Sequence, residues 1–265
     1  MCLILFALRA HEDYPFIVLA NRDEFFDRPT LAANLWPGDP EIAAGRDLLA
    51  GGTWLGLTRQ GIFATITNYK EMPPAFPSPL SRGQLVLNCL LLPSKATTRA
   101  ALHPNQLDHY SGFNLVHGDI SKLWWLTNRS SQSDEIPGGI SGLSNHLLNT
   151  PWHKVSLGKS LLRETIAGTF NADDLLSILA NTEPPQSIVR QNLNIGTQPE
   201  GSSLPIFVAG DRYGTRSSTI ILVSKTNQVS FIERTYSAGA QILSETYLYF
   251  ALEDAKFHPG TTTVK

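Results

Sequence analysis

Short apolar runs broken by polar turns set the pattern of this chain, and they crowd toward its two ends. Residues 2–9 (CLILFALR) are hydrophobic almost without a break and too few for a stable isolated helix, which predicts a buried strand. Residues 16–21 (FIVLAN) repeat the pattern after the polar HEDYP segment, so the first two elements are expected to pair as a β-hairpin. A second hairpin is expected within residues 51–69: a strand over 54–58, a turn at Arg59-Gln60-Gly61 and a return strand over 62–68. Gly61 suits a turn position with positive φ. A third hairpin joins 112–116 to 122–127 through His117-Gly118-Asp119-Ile120, and 142–146 follows the Gly138-Gly139 turn as a strand end. Nearer the C-terminus, 204–208, 218–224 and 229–233 read as strands, the last two linked by KTNQ.

Helical signals lie between these groups. Ser81 is placed to cap a helix of about ten residues running through Gln84, Leu85, Leu87 and Leu91, in which Cys89 reads as a small buried hydrophobe. Two more helices are expected over 156–165 and 173–180, the second started by Asn171 and two early acids. Residues 72–79 (MPPAFPSP) form a stiff loop that cannot pair in a sheet. Strands at both ends with helices between them argue for an α+β fold in one domain over residues 1–265: a layered α-β-β-α arrangement of mainly antiparallel sheets rather than alternating βαβ units.

Composition narrows the function classes. Hydrophobic residues make up 42% and charged residues 17% of the chain, as in an ordinary globular protein, and a net charge of −2 without any Lys/Arg block gives no support to a nucleic-acid partner, so none is expected. The expected partner is a small-molecule substrate or ligand, with oligomeric state left open. Two cysteines make no disulfide framework, the first apolar run lacks a basic flank, and no run reaches the ~18 residues that span a bilayer; a cytoplasmic protein without a transmembrane segment is expected. The seven histidines show no HExxH spacing, and neither a phosphate-binding loop nor a GxGxxG fingerprint is present, so no metal and no cofactor is expected.

Cys2 is the residue that chemistry singles out. Removal of Met1 would free its α-amine, whose ordinary pKa of about 7.7–8.0 allows it to act as base for the thiol of the same residue. A buried structural cysteine is the alternative. If strands 2–9 and 16–21 pair antiparallel, Asn21, Arg22 and Asp23 arrive beside Cys2: Asp23 to orient the amine, Arg22 to favour a thiolate, with a solvated loop pair as the plainer reading. Asn68 and Asn145, at strand ends, are candidate amide donors to an oxyanion or else turn caps. Arg216 precedes a strand and is either a carboxylate binder or a surface arginine.

These residues carry a resemblance. Met1-Cys2, Asn21-Arg22-Asp23-Glu24 between Leu19-Ala20 and Phe25-Phe26-Asp27-Arg28-Pro29, Gly51-Gly52-Thr53-Trp54-Leu55-Gly56, Thr67-Asn68-Tyr69, Arg82-Gly83, Gly142-Leu143-Ser144-Asn145, Pro151-Trp152 and Gly214-Thr215-Arg216-Ser217-Ser218 resemble the NRDE family, which includes transport-and-Golgi-organisation protein 2, from the first residue to about position 236. More distantly, the pattern is similar to the N-terminal-nucleophile hydrolases of cysteine type, the choloylglycine hydrolases and penicillin V acylases. That likeness implies their sandwich fold, Cys2 as nucleophile, Asp23 as its acidic partner, Asn68 and Asn145 at the oxyanion and Arg216 as the late arginine; Ala20 stands where those enzymes have an earlier arginine, with Arg22 offset by two. It implies hydrolysis of a C–N, amide-like bond in a small acylated substrate through an acyl-enzyme. The alternative is a non-catalytic binding or trafficking protein on the same scaffold, handling lipid or haem; no CxxCH motif for covalent haem attachment is present.

Overall fold

The computed structural model describes residues 2–70, 80–92, 107–131, 133–184 and 204–253. Its first two strands, β1 (Leu3–Leu8) and β2 (Phe16–Phe25), pair antiparallel as the hairpin expected of them. Their near-continuous hydrophobicity has a direct cause: side chains alternate between two faces, and both faces are buried. Ile4, Phe6 and Leu8 enter a core shared with Ala43, Leu57 and Phe63 of a second sheet, whereas Leu3, Leu5 and Ala7 pack with Val155, Leu162 and Leu175 of helices on the other side.

The first sheet takes the order β10-β1-β2-β11-β12-β13, with β10 Gly139–Leu143, β11 Tyr213–Val223, β12 Gln228–Tyr236 and β13 Ile242–Ala251. The second runs β3 to β9 in sequence: Thr30–Trp36, Ile42–Asp47, Leu55–Thr58, Ile62–Asn68, Phe113–Asp119, Lys122–Thr127 and Ser133–Glu135. Every strand pairing is antiparallel. Helix α1 (Arg82–Leu90) covers β5 to β7 through Leu85, Val86, Cys89 and Leu90. Helices α2 (His153–Ile166) and α3 (Ala172–Leu179) cover the outer face of the first sheet. The order of layers is therefore α-β-β-α, as expected. Each fully buried Leu, Ile or Phe in these interfaces contributes about 1.5–3 kcal/mol relative to exposure, so the three apolar seams hold the layers together.

Local signals behave as their chemistry dictates. Asn171 caps α3 by accepting from the Asp173 and Asp174 N–H groups, while the Asp174 carboxylate accepts from the Asn171 N–H. Ser81 occupies the N-cap of α1 without a side-chain capping bond. Cys89 is buried, and burial pushes its thiol up to about 12.

Six expectations need correction. The turn expected at 117–120 narrows to Ile120-Ser121, because His117 to Asp119 belong to β7 and stay paired with β8, and Arg216, expected ahead of a strand, lies within β11, which pairs with β2 from Tyr213 onward. The second strand does not stop at Asn21 but continues to Phe25, because β11 supplies a ladder along its whole length. The strand expected at 142–146 ends at Leu143 and starts at Gly139. The helix expected over 156–165 begins at His153. Residues 204–208 form no strand: Ile206 and Phe207 are apolar because they are buried beside α3, and their segment is tied by the Phe207 N–H to the Asn181 carbonyl instead of by a ladder. Strands β3, β4, β9 and β13 had no counterpart in the expected pattern, and the proline-rich loop at 72–79 lies outside the described residues.

Candidate active site

Strand parity divides the Asn21-Arg22-Asp23-Glu24 segment between two environments. Leu3 pairs with Asn21, so continuing the register by one residue sets Cys2 across from Arg22. Ala20 belongs to the inter-sheet core and Leu19 to the helix-facing one. Alternation then sends Arg22 and Glu24 toward the cleft between the sheets, and Asn21 and Asp23 toward the helices. Because the period is two, Arg22 shares a face with Ala20 and sits one step further along the strand.

Asn21 is fully engaged on its face. Its Nδ2 donates to the carbonyls of Leu179 (2.8 Å) and Ile206 (2.9 Å), and its Oδ1 accepts from the Ser218 hydroxyl at 2.7 Å. This is a clamp holding α3 and the 206 segment to the sheet. Asn21→Ala strands two buried carbonyls and a hydroxyl, and is expected to lower stability by about 2 kcal/mol in urea unfolding.

Asp23, 5% exposed, accepts from the Thr215 hydroxyl at 2.8 Å, and its backbone carbonyl accepts from the Tyr213 hydroxyl at 3.1 Å. Burial raises the carboxyl above its ordinary range; the N-terminal ammonium of the chain, Lys154, the Thr215 hydrogen bond and Arg22 act in the opposite direction. Arg22, 6% exposed, stacks over Trp54 at 4.3 Å, and its Nη1 donates to the Thr30 hydroxyl at 3.5 Å. Burial draws its pKa down, opposed by Glu24, Cys2 and Asp47.

Together these groups wall a cleft of about 310 Å³ at the end of the sandwich. Cys2, Arg22, Asp23 and Glu24 come from the first sheet, Ile66 and Asn68 from β6, and Ser81, Arg82 and Gly83 from the start of α1. Arg28 pairs with Asp47 at 2.7 Å along the wall, and Asp47 also accepts from the N–H groups of Leu49 and Ala50, which fixes the turn beside the cleft.

Asn68 lines this space with an exposed side chain, while its carbonyl accepts from Asn145 Nδ2 at 2.8 Å. Asn145 is buried behind it, and its own carbonyl accepts from the Lys70 N–H. The neighbouring Ser144 hydroxyl donates to the Cys2 carbonyl at 2.7 Å. Ser144 and Asn145 thus stitch the start of β1 to the end of β6. Arg216 stands apart: its Nη1 reaches the carbonyls of Phe25, Phe26 and Arg28, which pins the corner between β2 and β3. It lines a separate pocket of about 200 Å³ with Glu233 and Tyr236.

The site contains groups that sequence reasoning missed. Arg28 and Asp47 meet only through strands that carried no clear pattern. Lys154 did leave a signal, since it interrupts an apolar helical face formed by Val155, Gly158, Leu162 and Ile166. Among the described residues, no group of three His, Cys, Asp or Glu side chains is placed to hold a metal ion, and no helix is long and apolar enough to cross a membrane.

The stacked antiparallel sheets with helices on both outer faces make a four-layer α-β-β-α sandwich like that of the choloylglycine hydrolases, with Cys2 just ahead of the inner strand β1. A mutant of the conjugated bile acid hydrolase from Clostridium perfringens shares the fold, with a TM-score of 0.52 over 97% of this chain and 94% of that chain at 8% identity. The chain itself belongs to the Transport and Golgi organisation 2 family, which matches residues 1–238. Relatives include the Transport and Golgi organization 2 homolog of Mus musculus, 32% identical, and the homologous protein of Homo sapiens, 33% identical, each aligned over 256 residues that cover 88% of this chain and 92% of the relative.

Proposed function

We propose that this protein is a cytoplasmic amidohydrolase that cleaves a C–N bond in a small acylated substrate, with Cys2 as nucleophile. The observation that carries the reading is the setting of Cys2: it stands at the head of an inner strand and lines a polar cleft, across from Arg22, with the buried Asp23 carboxylate on the adjacent strand. The fold shared with a conjugated bile acid hydrolase supports it.

In this mechanism, loss of Met1 frees the Cys2 amine, which takes the thiol proton directly or through a water. The sulfur attacks the acyl carbonyl carbon, the C–N bond breaks as that proton passes to the departing amine, and a thioester remains. Water then adds to the thioester carbonyl and gives a proton to the amine; the C–S bond breaks, the carboxylic acid leaves and the thiol regains its proton. Arg22 favours the thiolate, and the amide group of Asn68 faces the developing oxyanion.

A second reading, a binding protein on the same scaffold, draws on the engagement of Asn145 by the Asn68 carbonyl and of Arg216 by three backbone carbonyls. One experiment separates the two. Protein expressed without an N-terminal tag is checked by intact mass for loss of Met1, then incubated with N-acyl amino acids, acyl amides, β-lactams and lactones. The hydrolase reading expects turnover and an acyl adduct on Cys2, with both absent in Cys2→Ala. Tight binding that survives Cys2→Ala, with neither adduct nor turnover from any compound, would support the binding protein.

A further inference from the structure

We propose that Lys154 is a positioning residue of this site: its buried ammonium keeps the Asp23 carboxylate ionised, so that Asp23 holds the amine of Cys2. The inference rests on the reading of Cys2 as nucleophile.

Lys154 is the second residue of α2, whose axis packs onto β1 and β10. Its side chain has no exposed area, and its Nζ makes no hydrogen bond among the described residues. A buried ammonium without a partner is unfavourable by several kcal/mol unless another charge offsets it. Helix electrostatics do not supply the offset, because the first turn of a helix disfavours cations and α2 has no acid there. Crowding does not force the burial either, since Ser156, two residues on, is exposed.

The ionisable groups that act on Lys154 are Asp23 of β2 and Cys2 at the head of β1, and both favour its charged form against the effect of burial. Strand β10 (GISGL) brings no titratable side chain, His153 beside it in sequence is only half-buried, and Arg22 lies on the opposite face of β2, stacked on Trp54. On the helix side of the strand, Lys154 is the side-chain cation that acts on Asp23, together with the α-amine of the chain. Burial alone drives a carboxyl toward its neutral form, and a neutral Asp23 cannot hold an ammonium or receive the charge of a protonated base. Lys154 opposes that tendency, and Asp23 in turn favours the protonated form of Lys154 against the effect of burial. The Thr215 hydroxyl fixes the carboxylate by donating to its Oδ1.

Alkylation of Cys2 by iodoacetamide, followed against pH by site-resolved mass spectrometry, tests this whether or not the protein turns over any substrate. Cys89, buried and slow, is the internal control. Lys154→Met is expected to move the pH profile of Cys2 alkylation upward and slow labelling near neutrality about tenfold, as Asp23→Asn does. The double variant Asp23→Asn/Lys154→Met buries no unpaired charge, so it carries the test even if Lys154→Met fails to fold. Its profile should match that of Asp23→Asn alone, because Lys154 acts through Asp23. A wild-type profile in folded Lys154→Met, or a further shift of the double variant beyond Asp23→Asn, overturns the inference. Absence of acyl adducts with the shift intact overturns the hydrolase reading and leaves this one standing.

Discussion

Gly52→Ala is expected to destabilise the protein by about 3 kcal/mol and to disturb the cleft, whereas Gly51→Ala, one residue earlier, costs about 1 kcal/mol and leaves the cleft intact. The difference lies in what a new methyl group meets. At Gly52 a Cβ would stand 2.6 Å from the Gln84 nitrogen and closer still to the carbonyl group of Gly83, all main-chain atoms in the first turn of α1. Backbone there cannot swing aside as a flexible side chain does, so α1 must retreat. That retreat breaks the bond from the Thr53 N–H to the Gly83 carbonyl and moves Ser81, Arg82 and Gly83, which wall the cleft opposite Cys2. Gly51 instead has φ +76° and open space around it, so alanine there meets only the strain of a left-handed conformation. Urea unfolding of both variants reads the stability difference, and Cys2 alkylation reads the cleft. Equal losses in the two variants would mean that the approach of Gly52 to Gly83 is not what seats the helix.

The sequence made some of this architecture legible for reasons that residues explain. Strands β1 and β2 were readable because both their faces are buried, which writes an unbroken apolar run into the chain. The end of β2 was not, because Asn21 to Glu24 are polar on both faces and look like a loop; Asn21 is satisfied by the Leu179 and Ile206 carbonyls on one side, and Arg22 pairs with Glu24 on the other. Strand β13 escaped for the opposite reason. It is an edge strand with little covering either face, so core packing imposes no alternation on it. Residues 204–208 show that burial writes the same apolar signature without a ladder.

The site divides in the same way. Cys2, Arg22 and Asp23 could be brought together from sequence because a local hairpin register joins them. The destinations of Asn145 and Arg216 were open, since each depends on which carbonyl another part of the chain presents. Lys154 left a trace as a break in an apolar helix face, but its place at the site required knowing which face of the first sheet α2 covers. That is tertiary information, and no local pattern carries it.

Glu233→Gln and a histidine variant are expected to tilt the pH dependence of stability in opposite directions, each by roughly 3 kcal/mol. Glu233 of β12 is buried between the sheets, where its carboxylate oxygens accept from the Ala33 N–H of β3 at 2.6 Å and the Thr219 hydroxyl at 3.2 Å; burial lifts its pKa from 4.5 to about 7. Below pH 4.5 it is protonated folded or unfolded. Between 4.5 and 7 the folded state holds a proton that the unfolded state has lost, so the contribution of Glu233 to stability falls as pH rises through that window. His117 of β7 does the reverse. Burial draws its pKa from 6.5 to about 4, so the unfolded state takes a proton that the folded state refuses, and its contribution is complete above 6.5 and lost as pH falls toward 4. Displacements of this size correspond to roughly 3 kcal/mol each. In the natural protein the two slopes oppose one another between pH 4.5 and 6.5. Glu233→Gln removes one slope, so its stability should climb relative to wild type by roughly 3 kcal/mol from pH 4.5 to 7.5. His117→Gln removes the other and should gain on wild type by a similar amount as pH falls from 7 to 4. Asp23, also raised by burial, is common to all three proteins and cancels in the differences. Urea midpoints at half-unit steps between pH 4 and 8 decide the matter. Curves that run parallel to wild type for either variant would show that the residue does not hold its unusual protonation state in the folded protein.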